Sequence, residues 1–133
     1  MTLTTDAAFG HELEAWAADT LVVGADRVLP DGRVVNKVGT RSAALSAAAA
    51  DVDCYAVCAT DKVAPRAEWD REERDSREVY DGDAPVTVEC PLFEVTPADL
   101  VDGVLTEEGL LNGAAVTDVA AEHRALAEWE RGG

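Results

Sequence analysis

The segment Leu21–Thr40, LVVGADRVLPDGRVVNKVGT, constrains the fold more than any other part of the chain. It reads as a strand, a carboxylate at the strand's end, a turn, and the start of a phosphate-binding helix in an α/β domain. Thr20–Val23 is a short apolar strand that ends at Gly24. VLPDGRVV supplies two β-prone pieces around Pro30-Asp31-Gly32, a strong turn signal. Thr40–Ala50, TRSAALSAAAA, is a helix whose alanines let its axis approach a sheet closely. Cys54–Thr60 is a second buried strand. Strands separated by a helix in this way are expected to run parallel, joined by crossovers.

Elsewhere the signals are shorter. Phe9, Leu13 and Trp16 mark one apolar face of a helix over Thr5–Ala18, with Thr5 or Asp6 as its cap. Lys62–Tyr80 is dense in charge and is expected as an ordered surface loop or short helix, with Arg71, Arg74 and Arg77 solvated among acidic neighbours. Val86–Val88 reads as a third strand. Thr96-Pro97-Ala98-Asp99 has the composition of a helix start, predicting a helix to about Leu105. Thr117–Trp129 is a last helix, capped by Thr117, with Val119, Leu126 and Trp129 on one face. With only about three strands visible, a free-standing parallel sheet would be unusually small. The chain is therefore expected to belong to a larger sheet or to pair with another chain.

Its 133 residues correspond to one domain, residues 1–133, and 47% apolar residues exclude disorder. The net charge of −16 disfavours direct nucleic-acid binding, because such a field repels phosphate backbones. The acids are spread along the chain, which suggests a surface suited to concentrated salt, as in the cytosol of an extreme halophile; an ordinary acidic protein is the alternative. No apolar run approaches the ~20 residues that span a bilayer. The start, MTLTTDAAFGHE, lacks the pattern of a signal peptide, so the expected location is the cytoplasm, away from membranes.

Cys54 and Cys58, four residues apart on a strand, would lie ~13 Å from each other. That is too far for a disulfide or for one zinc ion, so both read as small buried thiols. His11 and His123 fall in separate helices, and nothing in the sequence calls for a metal or a cofactor.

Three places carry candidate chemistry. Asp26 follows a buried strand and Gly24, and ligands of parallel α/β sheets sit beyond the carboxyl ends of strands. It is either a general base or sugar-hydroxyl partner, or a simple turn cap. Asn36, Lys37, Gly39 and Thr40 precede the alanine helix. Free N–H groups there, close approach at Gly39, the Lys37 charge and the Thr40 hydroxyl suit a phosphate; capping with an exposed lysine is the alternative. Lys62, the only other lysine, either reaches the crevice of Asp26 or is solvated.

Taken together, GADRV at 24–28, NKVGT at 36–40, CYAVCATDK at 54–62, EERD at 72–75, FEVTP at 93–97 and TEEG at 106–109 resemble the initiation factor 2B α/β/δ-related family. That family includes ribose 1,5-bisphosphate isomerase and methylthioribose 1-phosphate isomerase. The resemblance runs from about Ala7 to Leu111. It implies a Rossmann-like parallel sheet with flanking helices, the C-terminal half of the family fold, assembling as a homo-oligomer or with a complementary chain. It implies an acid/base role for Asp26 and sugar-phosphate contacts for Asn36 and Lys37, the ligand being a phosphorylated ribose or a nucleotide. The catalytic cysteine of those isomerases falls in the other half, and Cys54, Cys58 and Cys90 do not correspond to it. The expectation is a sugar-phosphate half-site, or else a non-catalytic assembly module or inactive remnant.

Overall fold

The apolar run Leu21–Val23 in TLVVG forms β1 (Thr20–Gly24), and the computed structural model, which describes residues 1–132, pairs it in parallel with β4 (Asp53–Val57). Between them the Pro30–Gly32 turn joins β2 (Arg27–Val28) to β3 (Val34–Lys37), followed by helix α2 (Thr40–Ala49). Gly32 has φ +89°, and its N–H donates to the Leu29 carbonyl at 2.9 Å. A glycine takes that backbone conformation without steric cost, which is why PDG makes this turn.

The described residues form two sheets. The larger has the order β1-β4-β6-β7, with β6 (Gly103–Thr106) parallel to β4 and β7 (Gly109–Leu111) antiparallel to β6. The smaller is antiparallel, β2-β3-β5, with β5 at Phe93–Thr96. The architecture is α/β, a parallel sheet with an antiparallel edge strand and flanking helices.

All three α-helices pack on one face of the larger sheet. Leu21 and Cys54 meet Leu13 of α1 (Phe9–Ala15) and Ala44 and Ala47 of α2. Ala56 and Val104 meet Val116 and Ala120 of α3 (Gly113–Gly132), together with Val28, Val34 and Val63. A third cluster, Leu29, Val35 and Ala64 with Trp69 and Phe93 against it, belongs to the smaller sheet. The other face of the larger sheet is bare: Val22, Val57, Leu105 and Leu110 are 61, 41, 44 and 59% exposed.

Several local expectations are corrected. Val86–Val88 forms no strand. Val86 is exposed, and this alternating triplet lies where no neighbouring strand can pair with it. The helix expected from Thr96 is a single 3-10 turn, Ala98–Leu100, between β5 and β6. Pairing of β5 with β3 and of β6 with β4 claims the residues on both sides of that turn. Helix α3 begins four residues before Thr117. Asn112 Oδ1 accepts the Ala115 N–H at 2.9 Å as the cap, while the Thr117 hydroxyl donates within the helix and toward Pro30 O. Its buried face is Val116 and Ala120, whereas Leu126 and Trp129 are exposed. The first helix is a 3-10 turn, Asp6–Ala8, followed by α1, with no side-chain cap from Thr5. The second strand ends at Val57, because Thr60–Lys62 turns as 3-10 helix.

The charged segment keeps to the surface. Arg74 pairs with Glu78 at 2.8 Å, Arg77 pairs with Asp75 at 2.6 Å, and Arg71 lies over the Trp69 ring at 5.4 Å. Among the described residues no helix is long and apolar enough to cross a membrane.

Candidate functional site

The carboxyl ends of β1, β4 and β6 lie at one end of the larger sheet, and the smaller sheet delivers the candidate residues there. The Asp26 N–H donates to Val35 O at 2.9 Å, which ties the loop after β1 to β3. On β3, Asn36 lies beside Gly24: a Cβ built at Gly24 would stand 3.7 Å from Asn36 Nδ2. The Asn36 amide donates to Thr40 Oγ1 at 3.0 Å, and that hydroxyl donates to Lys37 O at 2.8 Å. Thr40 is thus engaged on both sides and fixes the Asn36 rotamer. Gly39, at φ +110°, turns the chain into α2, a conformation that disfavours any side chain.

The start of α2 is already partnered by an anion from the chain itself. Antiparallel pairing sets Glu94 of β5 opposite Asn36 of β3. Its Oε2 accepts the N–H groups of Gly39 at 2.7 Å and Arg41 at 3.2 Å. This carboxylate neutralises the positive end of the helix, as a side-chain cap from a distant strand.

The predicted residues divide between two depressions. Asn36, Lys37, Gly39 and Thr40 line a groove of about 710 Å³ together with residues 21–24 of β1. Asp26 lines a second depression of about 610 Å³, and Lys62 lies in it with Arg27, Asp61 and Arg66. The structure therefore brings Lys62 to Asp26, and keeps both apart from the Lys37 groove on the other side of the β1–β3 junction. Arg27 is steadied there by donating to Glu68 O at 2.9 Å.

Sequence reasoning missed the group formed by Thr60, Glu107 and Cys58 at the same end of the sheet. The Glu107 carboxylate accepts the Thr60 N–H at 3.1 and 3.0 Å, and also the Thr60 hydroxyl. The Thr60 hydroxyl, followed by backbone N–H groups, holds Glu107 below its ordinary value of 4.5. Cys58 shifts the other way. Burial, then the Glu107 and Asp61 charges, push its thiol up against the opposing pull of Lys62, so the thiol stays protonated at neutral pH. CYAVCATDK and the TEEG turn each left a signal in the sequence, but their meeting did not, since Thr60 and Glu107 come together across 47 residues.

The Glu107 contact predicts a pH signature. A carboxylate with a depressed folded value adds stability above its unfolded value and loses it as pH falls through the folded one. Urea denaturation of Thr60→Val should therefore show a deficit against wild type near about pH 7 that shrinks toward about pH 3. A deficit of the same size at both pH values would mean that the Thr60–Glu107 contact is not its source.

Known proteins match this arrangement. The sequence profile of the Initiation factor 2 subunit family matches residues 1–113. The methylthioribose-1-phosphate isomerase of Synechococcus sp. is 38% identical over 120 residues, covering 83% of this chain and 34% of that protein. The crystal structure of 5-methylthioribose 1-phosphate isomerase from Pyrococcus horikoshii superposes with a TM-score of 0.77 at 24% identity, a likeness of fold, over 94% of this chain and 37% of the other. The translation initiation factor eIF-2B of Pyrococcus horikoshii superposes with a TM-score of 0.67 at 34% identity, over 83% of this chain and 38% of the other. The chain spans about a third of the length of these proteins. With two thirds or more of its length matched in sequence and in fold, the chain belongs to the initiation factor 2 subunit family.

Proposed function

We propose that this chain forms one side of a site for a phosphorylated ribose, to be completed by a complementary chain. The observation that supports it best is the Asn36 amide, held by Thr40 beside Gly24 at the carboxyl end of β1, with the exposed Lys37 next to it. In this reading the Lys37 ammonium meets the phosphate, and Asn36 hydrogen-bonds the phosphate or a sugar hydroxyl. Gly39 and Thr40 act by shaping the turn. Because Glu94 occupies the helix start, the phosphate charge falls to Lys37 rather than to the α2 N–H groups. Asp26, just past the end of the same strand, lines the neighbouring depression, so its role as the proton-transfer group requires the bound sugar to reach across the end of β1 from the Lys37 groove. Isomerisation between adjacent sugar carbons would also need groups on the far side of the sugar, which the complementary chain would supply.

A non-catalytic assembly role of the initiation factor 2B type is the second reading. The bare apolar face of the larger sheet favours it, being a surface built to be covered. We also read the −16 charge as an adaptation to concentrated salt, so binding is best measured in molar KCl in the cytosolic pH range.

Isothermal titration with methylthioribose 1-phosphate and with ribose 1,5-bisphosphate tests the site. Lys37→Ala should weaken binding by about tenfold or more, the equivalent of ~1.4 kcal/mol. Arg77→Ala, at a distant surface ion pair, should not. No binding by the wild-type chain, or equal binding by Lys37→Ala, would sink the phosphate site.

A further inference from the structure

The depression beside Asp26 differs in charge from the rest of the surface. Arg27, Lys62, Arg66 and Arg131 all line it, four of the chain's 11 basic residues, against three of its 27 acidic ones, Asp26, Asp61 and Glu68. In a chain of net charge −16, a cation stabilises most where it is paired with surrounding acids. Among the described residues Arg33, Arg74 and Arg77 form such ion pairs, and none of the four cations of the depression does. The dipole of α3 favours a cation in its last turn and so accounts for Arg131. It does not account for the other three.

The depression is also held in shape. Residues 61–68 form one wall and are tied on two sides. The Ala64 N–H donates to Val28 O at 2.8 Å, and Arg27 Nη1 donates to Glu68 O at 2.9 Å, which fastens the wall to β2. Arg124 Nε donates to Pro65 O at 3.1 Å, and His123 Nδ1 lies 2.7 Å from Val63 O, which fastens it to α3. The cations thus come from β2, from residues 61–68 and from α3, and these elements are locked together before any ligand arrives. Such preorganisation lowers the cost of binding.

We propose that this depression is a binding site for a diphosphate group, separate from the Lys37 groove. Guanidinium groups match phosphate oxygens in a planar, two-pronged geometry, and the Lys62 ammonium adds a point charge. Three guanidiniums and an ammonium present more N–H donors than one phosphate can accept. At about 610 Å³ the depression has the size of a small-molecule site, and no aromatic ring is among the described residues that line it. Recognition therefore falls on the phosphates rather than on a stacked base. With three carboxylates in the same depression the net field is weak. An anion is held there by paired hydrogen bonds more than by charge alone, so chloride is a poor competitor. Asp26 is the one residue that figures both here and in the sugar-phosphate reading.

Isothermal titration of the full chain with inorganic diphosphate tests the site, in the lowest KCl that preserves the circular dichroism of the folded chain. One site is expected. Arg66→Ala and Arg131→Ala, both at exposed positions, should each weaken binding at least fivefold and leave the circular dichroism unchanged. Arg66→Lys should not recover the loss, because an ammonium lacks the paired geometry. Lys37→Ala should bind diphosphate as wild type does. Diphosphate should shift the Nε–H resonances of Arg27, Arg66 and Arg131 and leave the Gly39 and Arg41 amides in place. No binding, or equal binding by inorganic phosphate, overturns the proposal. So does a loss of diphosphate binding in Lys37→Ala, which would put the ligand in the other groove. Tighter binding of a hexaglutamate peptide would mark the depression as a contact for an acidic protein partner and overturn it as well. Diphosphate binding without sugar-phosphate binding overturns only the Lys37 reading, and the converse overturns only this site.

Discussion

Leu29→Ala should lower the unfolding free energy by about 2–5 kcal/mol, read as a fall in urea midpoint at unchanged slope. Leu29 is fully buried where the smaller sheet packs on itself, with Val35 and Ala64 in its cluster and Trp69, Phe93 and Val95 against it. Its backbone also frames the turn, accepting from Gly32 and donating to Arg33 O at 2.8 Å. Truncation removes apolar contacts and leaves a cavity that the short strands β2 and β3 cannot close without giving up that turn. Domains of this kind hold only about 5–15 kcal/mol in total, so the loss is a large fraction of it. The consequence reaches the candidate site, because β3 carries Asn36 and Lys37. A loss below about 1 kcal/mol would show that the small sheet does not depend on this cluster.

Glu94→Ala is the second large effect, and it separates stability from ligand binding. The substitution strips the acceptor from the Gly39 and Arg41 N–H groups and leaves the start of α2 uncapped. The expected loss is about 1–3 kcal/mol, typical of removing a cap or a hydrogen-bonded charge. It also empties a helix N-terminus of its resident anion. Inorganic phosphate at constant ionic strength should then raise the Tm of Glu94→Ala by more than it raises that of wild type. Equal phosphate responses in the two proteins would mean that Glu94 does not guard the helix start. Glu94→Gln, which keeps an acceptor and drops the charge, should fall between the two.

Much of the fold was legible where its signals are local. The apolar run before Gly24, the Pro30-Asp31-Gly32 turn and the alanine helix each depend on a few adjacent residues, and the parallel pairing of β1 with β4 follows from their order. The reading failed where distant partners decide. The helix signal at Thr96–Asp99 gave way to one 3-10 turn because strands on both sides were claimed by β3 and β4. Val86–Val88 has strand composition and no neighbour to pair with. In α3 the large residues Leu126 and Trp129 looked like the buried face, yet the helix meets the sheet through Val116 and Ala120. Small side chains there let the helix lie close to Ala56 and Val104.

The same division holds for the site. By itself the sequence determined the order strand, carboxylate, turn, lysine and helix in Leu21–Thr40, because hydrophobic period, turn chemistry and helix propensity act over a few residues. Only the tertiary structure decided what surrounds that order. It set Asp26 with Lys62 in one depression and Asn36 with Lys37 in another, and it brought Glu94 across more than fifty residues to the start of α2. It also left one face and one edge of the sheet uncovered. These outcomes depend on strand register and on which face each helix covers, and both are settled by packing between segments far apart in the chain.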